Sequence, residues 1–454
     1  MGDAHKIHKA HAEYHLAMLG ELDPGWSEDQ YAKWLDRYGA AVDDIRAALD
    51  WAFASGGDVT LGIRLTLAAV PLGMQLYLVD EFIGWLERAL SRIADSEAGP
   101  VAELQLSVAL GQIAPQIKGM VPEVRTSFGR ALEIADQLGL VEHQIGALMG
   151  LFLYNFMIGD AQTASNAAEQ LCMVARAGGE PGAVAISDRM LCQARHFMGD
   201  HARARVLAER TSIIRWRYSG RDSIRPFSGV DRRISMRVFL ARMDWMEGNL
   251  DRAVTLYEEA IDYATGNLSY RTVGLALVLS LAAVPIALWR GELDKALVLA
   301  DQLIEHSQRY TVGFWGDWGV DYKALIAARA AGSKDARASA LAKVRPTGAL
   351  QIDAYATVME EMVGPTALAR VEAGGGGWCA AEVLRVSGER LVAGLRPDHA
   401  AAEEMILRAV DIARRQNALS WELRATMSLA RLRMQQDRRQ DALAALAPRP
   451  CPLH

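Results

Sequence analysis

Gly248-Asn249-Leu250-Asp251-Arg252-Ala253-Val254-Thr255-Leu256-Tyr257-Glu258-Glu259-Ala260 is the stretch that decides the fold. Glycine adopts the left-handed conformation that ends a helix without a steric penalty. Ala253, Tyr257 and Ala260 follow it at offsets of five, nine and twelve, a spacing that puts all three on one face of a second helix. The alanines let a neighbouring helix approach closely, and the tyrosine fills the gap beside them. The stretch reads as the turn and second helix of an antiparallel helix pair.

The same pattern recurs along the chain. Val124, Phe128 and Ala131 follow Gly119 at these offsets, and Ala204 and Ala208 follow Gly199. Ala402, Ile406 and Ala409 keep the spacing where Pro397 replaces the turn glycine. Gly119, Gly159, Gly199, Gly248, Gly291 and Gly332 stand 40, 40, 49, 43 and 41 residues apart, each expected as a left-handed helix C-cap. The pattern resembles the tetratricopeptide repeat. It implies an all-α fold, an α-solenoid of tetratricopeptide-like helix-turn-helix repeats wound as a right-handed superhelix. The period exceeds the roughly 34 residues of the standard repeat, so longer helices and a looser superhelix are expected. A second echo pairs Leu65-Thr-Leu-Ala-Ala-Val-Pro71 with Leu279-Ser-Leu-Ala-Ala-Val-Pro285. A mid-helix proline removes one backbone donor and predicts a kink in both helices.

Stacked pairs bury apolar surface against their neighbours only, so 454 residues need no single large core. We expect an N-terminal helical segment over 1–57 and the solenoid over 58–447. Within the solenoid lie an Arg-rich insertion at 215–233 and an irregular repeat at 333–397, interrupted by the glycine run 374–377. A disordered tail is expected over 448–454. The net charge of -6 gives no global attraction to nucleic acid. Cys172, Cys192, Cys379 and Cys451 form no CxxC pair and read as reduced thiols of a cytoplasmic protein without a signal peptide. Thr272 to Trp289 is uncharged for eighteen residues, yet it contains Pro285 and keeps repeat register, which favours a buried helix over a membrane span.

Segments along nearly the whole chain resemble one family. His11-Ala-Glu-Tyr-His-Leu-Ala17, Ala40 to Ala52 and Gly84-Trp-Leu-Glu-Arg-Ala-Leu90 carry the likeness in the N-terminal part. Arg237 to Arg242, Pro285 to Trp289, Trp378 to Arg385 and Ala418 to Arg431 continue it. Together they resemble the C-terminal helical region of bacterial winged-helix or LuxR-type transcriptional regulators with a signal-transduction ATPase core. In that family a DNA-binding domain and a nucleotide switch precede the array, which implies a sensor or autoinhibitory arm. Here no lysine follows a glycine, so a GxxxxGK[ST] phosphate loop is absent. The chain reads as a sensor arm without its ATPase and DNA-binding domains, or as a regulator fragment.

Repeat arrays of this type bind along the concave face, lined by the first helix of each pair. Counting back from the turn glycines gives Arg189, Gln193 and His196, then Ser235, Arg242 and Trp245, then Trp289 and Tyr322. Polar and aromatic groups converging there suit a protein partner or a small anionic ligand. The span 203–242 adds eleven arginines against three acidic residues, among them Arg215, Arg217 and Arg225 interleaved with Trp216, Tyr218 and Phe227. Planar guanidiniums bind oxyanions in a bidentate manner, so direct nucleic-acid binding through this span is the alternative. Its arginines otherwise pair with acidic neighbours on adjacent repeats. His5, His8, His11 and His15 lack a further ligand set and read as a solvated helix face rather than a metal site. No GxSxG, GxGxxG or paired-carboxylate motif occurs, so neither catalysis nor a cofactor is expected.

Overall fold

The computed structural model describes residues 2–20, 37–76, 78–179, 181–213, 232–266, 268–310, 313–394 and 396–447. Every regular element among them is a helix. Consecutive helices pack as antiparallel neighbours, so the array of tetratricopeptide-like helix pairs is the observed fold.

Gly99, Gly119, Gly139, Gly159, Gly179 and Gly199 all have positive φ, between 65° and 84°, and they stand twenty residues apart. The long period is therefore two equal half-repeats. Pro122–Leu138, Val141–Met157 and Pro181–Phe197 each hold 17 residues and Ala161–Gly178 holds 18, so the extra length over a standard repeat lies in the helices. Two of the turn glycines depart from the expected left-handed cap. Gly119 has ψ -163°, and Gly332 is not among the positive-φ glycines. Its turn is closed instead by Ser333, whose hydroxyl accepts from Ala336 N at 3.2 Å and caps the next helix. Towards the C-terminal end Asn417 and Asp437, with φ of 54° and 60°, take the position that glycine holds elsewhere.

Contacts divide the described residues into two units. The first comprises residues up to 154 together with 170–183. Its pairs are Gly2–Leu19 with Val42–Phe53, Val59–Gln75 with Val79–Ser91, and Gly99–Ile113 with Pro122–Leu138. Ile45, Leu49, Leu65, Leu72, Phe82 and Leu86 share its core. Phe128 shows why glycine stands inside two of the helices: a Cβ at Gly111 or Gly150 would lie 2.8 or 2.3 Å from its ring.

The second unit comprises 155–169, 184–213 and 232–447 among the described residues. Arg232–Met246 pairs with Leu250–Gly266, where Ala253, Tyr257 and Ala260 are all buried. The apolar stretch follows as Leu268–Val278, a π turn at Leu279–Ala283 and Val284–Arg290. The window Val273–Arg290 is long and apolar enough to cross a membrane, but 83% of it is buried inside the protein. Leu293–Tyr310 and Gly313–Ala330 come next, and then the helices shorten to Lys334–Leu341, Ala349–Val358 and Pro365–Glu372. Longer helices resume with Ala380–Ala393 against His399–Arg415, and Leu419–Gln435 packs against the short Arg439–Leu446.

The two prolines of the echoed motif behave differently. Pro71 lies inside an unbroken α-helix, whereas Pro285 follows the π turn, in which Val284 N reaches back five residues to Leu279 O. That register leaves Ser280 O without its usual donor, and Pro285 has no N–H to offer Ser280 or Leu281.

Candidate functional site

The residues predicted to line an open concave face come together, but inside the protein. Arg189, His196, Ser235, Arg242, Trp245, Trp289 and Tyr322 are buried, and Gln193 is half-buried. His196, Arg242, Trp245, Trp289 and Tyr322 are covered by segments beyond residue 349, through Tyr355, Trp378 and Trp421. Trp245 and Trp289 pack at 4.4 Å between ring centroids with their planes tilted by 35°, and Trp421 meets Trp245 edge-on at 4.8 Å. The last turns of the inner helices offer carbonyls to side chains, Trp245 O and Leu288 O also accepting from the turn N–H of Gly248 and Gly291 at 3.1 Å. Ser420 Oγ donates to Trp245 O at 2.6 Å, Arg424 Nη2 to Trp289 O at 3.4 Å and Arg329 Nη1 to Leu288 O at 2.7 Å. Trp289 Nε1 in turn donates to Thr357 Oγ1 at 3.0 Å.

Arg242 sits at the centre of this closed face. Its Nε donates to His196 Nε2 at 2.9 Å and its Nη1 to Leu281 O at 2.6 Å, the carbonyl freed by Pro285. The guanidinium lies 4.2 Å from the Trp378 ring centroid, 5.5 Å from that of Phe197 and 5.6 Å from that of Trp289, a cage that replaces water around the cation. Burial lowers its pKa to about 10. Tyr322 donates its hydroxyl to Ser280 O at 2.8 Å. Burial, reinforced by the Arg242 charge, keeps His196 neutral. His201 is pushed down to about 3, first by burial and then by Arg242 and Arg205.

Beside this cluster the surface opens into a pocket of about 390 Å³. Arg329, Arg337, Arg385, Arg424 and Arg431 line it among the described residues, together with the acids Glu360 and Glu382. Two of the guanidiniums are spoken for. Arg337 forms a bidentate pair with Glu361 at 2.6 and 3.0 Å, and Arg385 one with Glu382 at 2.9 and 2.8 Å, with Glu389 on its other nitrogen at 2.6 Å. Arg424 shares the same Glu382 oxygen at 3.0 Å, so one carboxylate serves two cations. Arg329 is held by a carbonyl, and its pKa is lowered by burial first and then by the charges of Arg424 and Arg337. Arg431 is exposed. Arg329, Arg424 and Arg431 are thus gathered with less negative charge than they require, which is the electrostatic condition for holding an oxyanion. Sequence reading missed this pocket because its arginines come from helices about a hundred residues apart. Only the seven-residue spacing of Arg424 and Arg431, which puts them on one helix face, was legible.

The described arginines of the Arg-rich span are largely neutralised by acids on neighbouring helices. Arg205 pairs with Glu247 at 3.1 and 2.8 Å and with Asp244 at 3.1 Å. Arg210 pairs with Asp188 at 2.6 Å and Arg237 with Glu259 at 3.1 Å. Arg215, Arg217 and Arg225 lie outside the described residues. At the N-terminal helix His11 and His15 approach to 3.2 Å, and among the described residues no group of three His, Cys, Asp or Glu could hold a metal.

No protein-family model matches the chain, and no curated protein does. Among solved structures, a Rap protein complexed with Competence and Sporulation Factor is similar over 95% of this chain and 99% of its own, at 11% identity and a TM-score of 0.48. The apo form of the quorum sensor NprR from B. thuringiensis is similar over 98% of both chains, at 12% identity and a TM-score of 0.38. The P58(IPK) TPR domain covers 93% of this chain and 99% of its own, at 11% identity and a TM-score of 0.19. Likeness at this level says nothing about function, which rests on the residues described above.

Proposed function

We propose that this chain is a non-catalytic binding scaffold or sensing arm that holds an anionic group in the pocket around Arg329, Arg424 and Arg431. The observation that carries the reading is which guanidiniums are left short of charge. Glu361 and Glu389 neutralise Arg337 and Arg385, whereas among the described residues Arg329 is held only by a carbonyl and Arg424 shares its Glu382 oxygen with Arg385. The group fits a carboxylate or phosphate of a small cytoplasmic ligand, or an acidic segment of a protein partner. Arg424 offers a route from pocket to core, since it also lies 5.8 and 5.2 Å from the Trp245 and Trp421 rings and caps Trp289 O. Drawing Arg424 toward a bound anion would loosen contacts that keep the inner face closed. That behaviour suits the sensor arm implied by the resemblance to transcriptional regulators, with a regulatory protein as the partner.

A thermal-shift screen tests the reading with inorganic phosphate and citrate as anionic probes, and with choline chloride at matched ionic strength. The expected result is a rise in melting temperature for the anions that Arg329→Gln removes. Equal shifts in the parent and the variant would defeat it.

A further inference from the structure

We infer that the first unit carries a separate groove that takes a cationic side chain, by preference a guanidinium, from a protein partner. The groove has a volume of about 540 Å³ and is bordered by Leu67, Pro71, Val108, Ala109, Gln112 and Glu142. The echoed motif shows what it lacks. Leu65 to Pro71 and Leu279 to Pro285 are the same segment in two places, down to a shared detail: Thr66 Oγ1 donates to Gly62 O at 2.8 Å and Ser280 Oγ to Ala276 O at 2.7 Å.

In the second unit, the carbonyl orphaned by the proline receives the Arg242 guanidinium, and the neighbouring carbonyl receives the Tyr322 hydroxyl. In the first unit the equivalent orphan is Leu67 O, because Pro71 has no N–H to give it. Both residues of the missing bond border the groove. Tyr322 stands ten residues before Gly332, and the residue ten before Gly119 is Ala109. Where one unit has a phenol, the other has a methyl group and open space.

A guanidinium fits that space on three counts. Its N–H groups supply the donor that Leu67 O lacks, as Arg242 does for Leu281. The apolar walls of Leu67 and Val108 suit its methylene stem. Glu142, exposed at the groove, supplies the opposite charge that favours a cation over a neutral donor.

Fluorescence anisotropy with three short labelled peptides tests the inference. The peptides are identical except for arginine, citrulline or norleucine at a central position flanked by leucines. The arginine peptide is expected to bind about tenfold tighter than the norleucine peptide, Glu142→Gln to erase its advantage over citrulline, and Ala109→Tyr to abolish binding. Pro71→Ala restores an N–H for Leu67 O, so it is expected to raise the melting temperature and weaken the arginine peptide several-fold. Equal binding of the arginine and norleucine peptides, no binding of any peptide, or a more stable Pro71→Ala protein with unchanged affinity would each overturn the inference.

Discussion

Arg242 Nη1 lies 2.6 Å from Leu281 O, the carbonyl whose helical donor would be the N–H that Pro285 lacks. A backbone defect in one repeat is thus repaired by a side chain from the preceding one. Arg242→Met keeps most of the volume but strands Leu281 O and His196 Nε2 in the interior, and is expected to destabilise the protein by about 2–4 kcal/mol. Pro285→Ala supplies the missing N–H, so the arginine substitution should cost about 1 kcal/mol less in that background. Urea-unfolding midpoints of the four proteins in this cycle measure the coupling, and an additive cycle would contradict the repair.

The buried histidines make stability depend on pH. His196 and His201 are neutral in the folded protein, with pKa values below the ordinary 6.5, that of His201 at about 3. In the unfolded chain they take up protons as the pH falls below 6.5, so the unfolded state binds more protons. Their contribution is therefore fully present above pH 6.5 and is lost as the pH falls from there toward 3. His201→Phe should flatten the dependence of unfolding free energy on pH by up to about 1.4 kcal/mol per pH unit in that window. An unchanged slope would show that His201 is not held neutral.

Gly377 explains how closely the returning helices approach. A Cβ there would lie 2.2 Å from Met198 O, whereas one at Gly364 would meet open space. Neither glycine has a positive φ, so the contrast is steric. Gly377→Ala should cost about 1–3 kcal/mol and Gly364→Ala less than about 0.5 kcal/mol, read from thermal unfolding.

The repeat was legible in the sequence because helix pairs are local: Ala253, Tyr257 and Ala260 need only their own and adjacent helices to be buried. The twenty-residue half-period was also there, in Gly99, Gly139 and Gly179, but attention to one turn per pair hid it. Tracing the inner face back from the turn glycines grouped His196, Arg242, Trp245, Trp289 and Tyr322 in one region. It could not show that the region is closed, because closure depends on Trp378, Trp421 and Ser420, which meet it only through long-range packing. The same limit hid the pocket. Arg329 and Arg424 look like ordinary surface arginines until the chain returns on itself.

Isothermal titration calorimetry with citrate on the parent protein, Arg329→Gln and Arg424→Gln tests the anion pocket most directly. The parent is expected to bind one citrate per chain, with affinity falling as salt rises and each variant losing at least about tenfold. Arg424→Gln should also remove any change in tryptophan fluorescence on binding, since that arginine joins the pocket to Trp245 and Trp421. The absence of a saturable heat in the parent, or equal affinity in all three proteins, would contradict the account.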